Sequence, residues 1–186
     1  MKRFFKRFCK GFWLILRYGP AKVADWHKES NCDEITELNN WRFLLREGKR
    51  ELAKAKRLEK SGMEYSISVI SADIRKFKAF NDEEGHLAGN EVLCKIAALL
   101  RKVFREVDIV CRVGGDEFVV LLPETTIEGA RVALNRLQEA LKELRSPGGR
   151  EVILDCGVTE VGKASLEELL QKADAAMYKA KKGLKP

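Results

Sequence analysis

Three acidic residues, Asp73, Asp116 and Glu117, occupy positions from which carboxylates could bind metal ions. Asp73 follows residues 66–72, an apolar run rich in β-branched side chains that predicts a buried strand. The other two follow the glycine pair at 114–115, between two apolar runs, which predicts a hairpin tip. Such oxygens suit Mg²⁺ or Mn²⁺, and two ions can stabilise the attacking and leaving oxygens of a phosphoryl transfer. The sequence therefore indicates chemistry on a phosphorylated substrate.

The glycines Gly114 and Gly115 could take part in such a site. Residues without a side chain let backbone amides approach a phosphate group closely. A glycine pair beside acidic residues is, however, by itself more often an ordinary solvent-exposed hairpin. The interpretation therefore depends on what else the chain contains.

The elements that must position these residues alternate between helix and strand. Capping-box spacings at Thr125 and Ser165, each with a glutamate three residues later, predict helices that begin near Ile127 and Leu166. The other helices are predicted over residues 39–60 and 88–105, and the strands over residues 66–72, 109–113, 118–122 and 151–159. This order predicts an α/β domain with a mixed sheet covered by helices.

Size and cysteine content restrict the class of protein. A chain of 186 residues, 45% of them hydrophobic, is long enough for one domain with a substantial core and too short for two ordinary ones. The cysteines are odd in number, scattered and never spaced as C-x-x-C, so neither a disulfide framework nor a zinc site is predicted. A reducing cytoplasm is the expected location. The cysteines are Cys9, Cys32, Cys94, Cys111 and Cys156.

The formal net charge of +7 is confined to the N-terminal segment. Residues 1–24 contain seven Lys or Arg residues and no acid. The remaining 28 basic residues equal the 28 acidic residues in number, so the chain from Asp25 onward is formally neutral. This distribution argues against a nucleic-acid-binding domain and directs the search for an electrostatic partner to the N-terminal segment.

That segment has the pattern of an amphipathic helix, with aromatic and aliphatic residues on one side and basic residues on the other over residues 2–17. Its longest apolar run, residues 12–16, is far below the ~20 residues that span a bilayer. One interpretation is a helix lying on an anionic membrane surface, at the inner face of the membrane. The other is a helix that packs on a dimer partner or on the domain itself. Residues 19–20, Gly-Pro, should end it.

Separated motifs resemble, in order, those of the GGDEF family of diguanylate cyclases, magnesium-dependent enzymes that join two GTP molecules into cyclic di-GMP. The resemblance extends from Asp33 to about Lys182 and divides the chain into a helix and linker at 1–32 and a catalytic domain at 33–186. The motifs are residues 33–40 (DEITELNN), 73–82 (DIRKFKAFND), 85–86 (GH), 89 (G), 112–118 (RVGGDEF) and 173–181 (ADAAMYKAK).

The resemblance implies a palm-like fold, similar to nucleotidyl cyclases and polymerases, with a mixed, mainly antiparallel sheet flanked by helices. Asp73, the backbone carbonyl of Ile74 and Asp116 would hold Mg²⁺, with Glu117 assisting, at two ions per active site. Asp116 would also deprotonate or orient the attacking 3′-hydroxyl group. Lys78 would stabilise the charge that develops on the phosphates.

The resemblance also implies a GTP site. Backbone amides near Phe77 and Lys78, together with Lys181, would hold the triphosphate, and Asn81 and the residue at position 90 would read the guanine. The full set of implied substrate-binding residues is Leu38, Phe77, Lys78, Asn81, His86, Asn90, Gly114, Gly115, Lys181 and Lys185. Because two sites must face each other to form a cyclic dinucleotide, the active form is predicted to be a homodimer.

Residues Arg105 and Asp108 stand where the family carries its RxxD product-inhibition site. Arginine can bind a guanine edge or a phosphate through two hydrogen bonds, which predicts feedback inhibition by cyclic di-GMP. The alternative interpretation is an ion pair at the end of a helix.

Three positions depart from the family pattern. Glu37 replaces a usual glycine, and Arg75 replaces a frequent second aspartate after Asp73. Because Asp73 is the principal ligand in the family, Arg75 is expected to spare catalysis and to add affinity for phosphate. Asn90 stands where these cyclases usually have a guanine-reading aspartate. An amide offers one acceptor and one donor, so weakened guanine selectivity, with cyclic GMP-AMP or cyclic di-AMP as products, is one hypothesis. A catalytically silent domain that binds GTP or cyclic di-GMP, and a cyclase that makes other cyclic oligonucleotides, are the others.

Overall fold

The computed structural model describes residues 31–160 and 165–181. A five-stranded sheet and four helices make up this part of the chain. In chain order the elements are β1 (Asn39–Asn40), α1 (Trp41–Lys60), β2 (Ile67–Ile74), α2 (Phe77–Val103), β3 (Ile109–Arg112), β4 (Glu117–Pro123), α3 (Ile127–Leu141), β5 (Leu154–Glu160) and α4 (Leu166–Lys181).

The strands lie in the order β1-β3-β4-β2-β5. Only the short β1 pairs in parallel, with β3, and the other three pairings are antiparallel. Strand β2 is an interior strand, between β4 and β5, and is buried at every position, which fits its apolar sequence. The register sets Asp73 of β2 opposite Glu117 of β4 on one side and Asp155 of β5 on the other.

Helices cover both faces of the sheet. Helices α2 and α3 pack on the face that carries Ile70 and Phe118. Helices α1 and α4 pack on the opposite face, which carries Val69 and Leu121. Because side chains alternate along a strand, Asp73 lies on the same face as Val69. The end of β2 therefore carries its carboxylate towards the side of α1 and α4.

Helix α2 begins earlier than residue 88, where the apolar periodicity predicted its start. It starts at Phe77 and is interrupted at Gly85, whose φ of 85° and ψ of 163° are not helical. The first segment has little apolar spacing and was therefore not recognised as helix. A glycine tolerates this conformation because it has no Cβ.

The two predicted helix caps have different outcomes. The Ser165 capping box is present, because the Ser165 amide donates to Glu168 at 3.0 Å and the Glu168 amide donates to the Ser165 hydroxyl at 3.2 Å. The prediction for Thr125 is wrong by one residue, since Thr126 caps α3 by accepting from the Gly129 amide. The Thr125 hydroxyl instead donates to the carbonyl of Pro123 at 2.8 Å.

The predicted helix at residues 2–17 and the residue Lys185 lie outside the described residues. Within the part of the chain that is described, no helix is both long enough and apolar enough to cross a membrane.

Candidate active site

The end of β2 and the hairpin between β3 and β4 bring the predicted acids together. Asp73 is directly opposite Glu117 in the antiparallel register, so their side chains share a face of the sheet. The amide of Ile74 donates to the carbonyl of Asp116 at 3.2 Å, which ties the hairpin loop to the end of β2. The loop closes through a 2.9 Å hydrogen bond from the amide of Val113 to the carbonyl of Glu117.

The hairpin glycines differ in their surroundings. A Cβ at Gly114 would collide with the carboxylate of Glu117, whereas nothing lies within 4 Å of the place where a Cβ on Gly115 would be. Gly115 is exposed, and neither glycine has a positive φ. The hairpin is confirmed, but its turn does not need the left-handed conformation that a glycine pair often supplies.

Negative charge in the site is only partly balanced. Burial, and then the charge of Asp73, raise the pKa of Asp116 above its usual range. Burial and the charges of Asp116, Asp174 and Asp73 likewise raise the pKa of Glu117. Two carboxylates whose pKa values are raised by burial and by neighbouring charges are typical of a cation-binding or acid–base site.

One cation already lies in the cluster. The ammonium of Lys181, at the end of α4, donates to Oδ1 of Asp73 at 2.5 Å. This hydrogen bond raises the pKa of Lys181, as do the charges of Asp73, Asp155 and Asp116. The predicted metal ligand and the predicted phosphate-binding lysine are therefore paired with each other.

The oxygen donors of Asp73, Asp116 and Glu117 suit Mg²⁺ or Mn²⁺ by chemical type. Across residues 31–160 and 165–181, however, no three His, Cys, Asp or Glu side chains converge closely enough to hold an ion by themselves. Magnesium usually binds through one or two carboxylates and takes its remaining ligands from water and substrate phosphates. The residues present fit an ion that binds together with a nucleotide.

The N-terminus of α2 lies two residues after β2 and is open to an anion. Its N-cap, Lys76, has a left-handed backbone with φ of 57° and forms no side-chain capping bond. The first turn contains no acidic residue. The amides of Phe77 and Lys78 therefore belong to a helix end that attracts phosphate, and the side chain of Lys78 is exposed.

Two of the predicted base-reading residues, Asn81 and Asn90, lie on either side of the α2 kink at Gly85. Asn81 packs against Gly89, where a Cβ would collide with Oδ1 of Asn81. That oxygen is buried and has no hydrogen-bond partner within the described residues. Asn90, which follows Gly89, is exposed, as is His86, which follows the kink. An unsatisfied buried acceptor of this kind fits a ligand that supplies its own donors.

Leu38 and the predicted product-inhibition residues lie elsewhere. Leu38 is buried and lines a cavity of about 330 Å³ together with Arg101, Arg105 and Asp108. The guanidinium of Arg105 donates to Asp108 at 2.8 Å, to the Pro123 carbonyl at 3.2 Å and to the Thr125 hydroxyl at 2.8 Å. The ion pair at the end of α2 is thus present, and product inhibition stays a prediction.

Arg112 is a positioning residue that the sequence did not assign. Its Nη1 donates to Oδ1 of Asp33 at 2.8 Å, and its Nη2 donates to the Gly115 carbonyl at 2.6 Å. Burial would raise the pKa of Asp33, but hydrogen bonds from Thr36 and Arg112 outweigh it and lower that pKa. Arg112 therefore connects the turn at residues 33–36 to the hairpin tip.

Asp174 is a second residue whose role the sequence did not reveal. It accepts a 2.6 Å hydrogen bond from the Ser71 hydroxyl. With Trp41 and Glu117 it lines a cavity of about 310 Å³ beside the acidic cluster. Both Asp174 and Arg112 lie inside motifs recognised in the sequence, but their contacts depend on the strand register.

Comparison with known proteins decides the family. A family model described as "Diguanylate cyclase, GGDEF domain" matches residues 30–185. The chain belongs to the GGDEF family. Similarity of its fold to a solved GGDEF domain supports this membership. The structure of the GGDEF domain of DgcB from Caulobacter crescentus, in complex with c-di-GMP, superposes on this chain with a TM-score of 0.75 and 25% sequence identity. The superposition covers 83% of this chain and 92% of that one. The predicted palm-like fold is confirmed.

Curated relatives of this GGDEF domain are named as diguanylate cyclases. Diguanylate cyclase DgcP from Pseudomonas aeruginosa is 37% identical over 166 residues, which cover 87% of this chain and 24% of DgcP. A diguanylate cyclase from Vibrio cholerae is 35% identical over 156 residues, covering 82% of this chain and 47% of the relative. The chain spans less than half the length of these relatives.

Proposed function

We propose that this GGDEF domain is a diguanylate cyclase that condenses two GTP molecules into cyclic di-GMP and releases pyrophosphate. The observation that carries the proposal is the cluster of Asp73, Asp116 and Glu117, in which the pKa values of Asp116 and Glu117 are raised. This cluster lies next to the uncapped N-terminus of α2. A site with acidic oxygens for cations beside amides for phosphates fits nucleotidyl transfer. The names of the relatives support the same activity.

Divalent cations belong to this proposal. Asp73, the backbone carbonyl of Ile74, Asp116 and Glu117 would hold Mg²⁺ or Mn²⁺, two ions per active site. When bound, the ions supply charge neutralisation at the phosphates and at the attacking oxygen. The raised pKa values of Asp116 and Glu117 support this assignment, because bound cations would offset the burial and the carboxylate repulsion that raise them.

The protein's own residues perform the remaining tasks. Asp116 would deprotonate or orient the attacking 3′-hydroxyl group. Lys78 and the first amides of α2 would bind phosphate oxygens. Lys181 would leave Asp73 for the triphosphate once that carboxylate binds a cation. The oxygen of the 3′-hydroxyl then attacks the α-phosphate of the other GTP, and pyrophosphate departs.

The reaction requires two copies of the chain. Each site would hold one GTP, so the two sites of a homodimer must face each other for both phosphodiester bonds to form.

Cyclic di-GMP would also inhibit the enzyme through Arg105 and Asp108. For that, Arg105 would exchange part of its bonding to Pro123 and Thr125 for the ligand.

Weakened base selectivity is the second candidate, and a specific observation favours it. Position 90 carries an exposed amide, and the buried oxygen of Asn81 has no hydrogen-bond partner within the described residues. A carboxylate at position 90 would accept from both guanine N1–H and N2–H, whereas an amide accepts from only one donor. Cyclic GMP-AMP or cyclic di-AMP would then accompany cyclic di-GMP.

Product identification tests these proposals. The chain is incubated with Mg²⁺ and GTP, ATP or both, and the products are identified by mass spectrometry. We expect cyclic di-GMP from GTP, and less mixed product from the matched variant Asn90→Asp than from the wild type. Strict exclusion of ATP by the wild type would refute the weakened selectivity. Nucleotide binding without any product would favour a silent GTP or cyclic di-GMP receptor.

The predicted helix at residues 2–17 gives a separate proposal about location. Its basic and aromatic sides would rest on an anionic membrane surface, at the inner face of the membrane, while the domain stays in the cytoplasm. Sedimentation with vesicles of anionic and of neutral lipid tests this proposal. Equal binding to both vesicle types, or none, would favour packing on a protein partner.

A further inference from the structure

Two buried carboxylates lie opposite each other at the edge of the candidate site, and each binds a different cation. Asp73 of β2 and Asp155 of β5 are register partners, so their side chains share one face of the sheet. Asp73 accepts from Lys181, and Asp155 accepts from Arg75. The structure therefore places two cationic side chains, those of Lys181 and Arg75, on these two neighbouring carboxylates.

The arginine is fixed by its carboxylate partner. Nε of Arg75 donates to both oxygens of Asp155, at 3.1 and 3.2 Å, and Nη2 donates to Oδ1 as well. The backbone amide of Arg75 donates to the Ile153 carbonyl at 2.9 Å. An arginine held through one edge of its guanidinium keeps a fixed orientation.

The same guanidinium is open on its other edge. The Arg75 side chain is 44% exposed, whereas that of Asp155 is 2% exposed. The contacts described for Arg75 use Nε and Nη2 and leave the two donors on Nη1. These donors are oriented by a buried acceptor and accessible to a ligand, which is the arrangement expected for recognition of an anion.

The charge balance of the site favours a phosphate as that anion. Asp155 is close enough to the cluster that its charge contributes to the raised pKa of Lys181. Without a cation, Asp155 would add a further negative group next to Asp73 and would repel a triphosphate. Arg75 neutralises it and extends the cationic surface from Lys181 towards the N-terminus of α2, which begins two residues later.

We propose that Arg75 is a phosphate-binding residue for the nucleotide triphosphate, with Asp155 as the positioning residue that orients it. This inference rests on the proposed function for the identity of the nucleotide. The terminal phosphate is the group that Arg75 binds, so the residue distinguishes GTP from GDP. The chain thus uses an arginine and a carboxylate together for a task that a second aspartate at position 75 could not perform.

Nucleotide binding tests this inference without turnover. The affinities of 3′-deoxy-GTP and 3′-deoxy-GDP, which lack the attacking hydroxyl group, are measured by calorimetry with Mg²⁺. We expect Arg75→Ala to weaken 3′-deoxy-GTP binding about ten- to hundredfold, which is the loss of a charge-assisted hydrogen bond, and to weaken 3′-deoxy-GDP much less. Arg50→Ala, which removes an exposed arginine from its pair with Glu47, is the matched control and should change neither affinity.

The positioning role of Asp155 is tested by asking whether its effect on triphosphate binding requires Arg75. Asp155→Ser should reduce the triphosphate preference, and the double variant Arg75→Ala/Asp155→Ser should reduce it no further than Arg75→Ala alone, because the two residues act as a unit. The double variant also avoids a buried unpaired carboxylate and so keeps the fold available for measurement. Thermal unfolding confirms that each variant is folded.

The outcomes separate this inference from the proposed function. An unchanged triphosphate preference in Arg75→Ala, or a wild type that does not prefer 3′-deoxy-GTP, overturns the inference even if the wild type makes cyclic di-GMP. A loss of Mg²⁺ affinity in Asp155→Ser alone would make Asp155 a metal ligand and overturn its positioning role. A wild type that makes no cyclic di-GMP, yet shows the Arg75-dependent preference, refutes only the proposed function.

Discussion

Nζ of Lys181 lies 2.5 Å from Oδ1 of Asp73, so a lysine at the end of α4 neutralises the carboxylate at the end of β2. The carboxylate is largely buried and the lysine is largely exposed. The lysine can therefore move away from this pair while the carboxylate cannot. In the proposed reaction the pair separates. Lys181 then binds the triphosphate, and Asp73 binds a divalent cation.

Lys181→Ala should raise the KM for GTP by about tenfold or more, because a charge-assisted hydrogen bond to phosphate contributes about 1.5–3 kcal/mol. The decrease in kcat should be smaller than the decrease in kcat/KM, because Asp116 and the N-terminus of α2 are retained. Steady-state kinetics measure both parameters. Lys179→Ala, an exposed lysine on the same helix, is the control, and an equal effect of both variants would contradict a specific role for Lys181.

Asp116→Asn should abolish turnover and also stabilise the fold at neutral pH. Removal of a general base lowers a rate by about 10²–10⁴-fold, and loss of a metal ligand adds to this. The charged carboxylate is disfavoured in the folded state by burial and by Asp73, so its neutral amide relieves repulsion. A cyclase assay and a thermal melt at pH 7 measure the two effects, and a variant that retains activity would contradict the assignment.

The stability gain of Asp116→Asn should depend on pH in a defined direction. The pKa of Asp116 is raised above its ordinary 3.8 in the folded state. The unfavourable charge is therefore fully present above the folded pKa and disappears as the pH falls below 3.8, where folded and unfolded forms are both protonated. The difference in Tm between variant and wild type should close as the pH falls. The control is Asp82→Asn, which removes an exposed carboxylate elsewhere on the domain.

Glu37→Gly should stabilise the domain by up to about 1 kcal/mol. Glu37 has a φ of 57°, and a left-handed backbone costs about 1–2 kcal/mol for a residue with a Cβ. Part of this gain is offset because glycine loses more backbone freedom on folding. Urea unfolding gives the free energies. Glu37→Ala keeps the Cβ and should give no gain, so stabilisation by alanine would contradict the backbone explanation.

Most of the fold followed from local sequence patterns. The apolar runs of β2, β3 and β4 predicted strands within one or two residues of the observed bounds, since burial on both faces requires them to be apolar. The first segment of α2 was missed because Phe77 and Phe80 are its only apolar residues that pack against the core, too few to give a helical pattern. The position of the α3 cap was missed because Thr125 and Thr126 both carry hydroxyls, and only the bond to Gly129 distinguishes them.

The candidate site was less accessible to sequence reasoning. The cluster of Asp73, Asp116 and Glu117 could be predicted from one strand end and one hairpin tip. The pairs that tune this cluster could not, because they join residues far apart in the chain: Lys181 lies 108 positions from Asp73, and Arg75 lies 80 positions from Asp155. Such pairs are set by register and helix packing, which no local pattern encodes.

Arg112→Lys should destabilise the domain and lower kcat, because a lysine cannot bridge Asp33 and the Gly115 carbonyl at once. The Arg112 side chain is only 8% exposed, and breaking a buried pair costs about 3–5 kcal/mol. Urea unfolding and a cyclase assay measure the two effects. Arg101→Lys, at an exposed position that donates to the Thr36 carbonyl, is the control. Equal stability of Arg112→Lys and the wild type would contradict the bridge.

Asp33 gives the same bridge a pH dependence. Its pKa is lowered in the folded state, so its stabilisation is present above the unfolded pKa of about 3.8 and is lost as the pH falls through the lower folded pKa. Asp33→Asn should therefore be less stable than the wild type at neutral pH. The two proteins should approach equal stability as acid protonates Asp33, and chemical unfolding at several pH values measures this. A stability gap that stays constant down to low pH would show that the carboxylate charge is not what Arg112 needs.

Gly89→Ala should impair nucleotide binding in the same way as Asn81→Ala. A Cβ at position 89 would occupy the place of the Asn81 amide oxygen, and that side chain must then rotate away. Asn81 is predicted to accept from guanine, and loss of one such hydrogen bond costs about 0.5–1.5 kcal/mol, or roughly three- to tenfold in affinity. Calorimetry with 3′-deoxy-GTP measures the affinity of each variant. The double variant should be no weaker than either single variant, because the alanine at 89 acts only by displacing Asn81. Additive losses would instead show that Gly89 contacts the nucleotide through its own backbone.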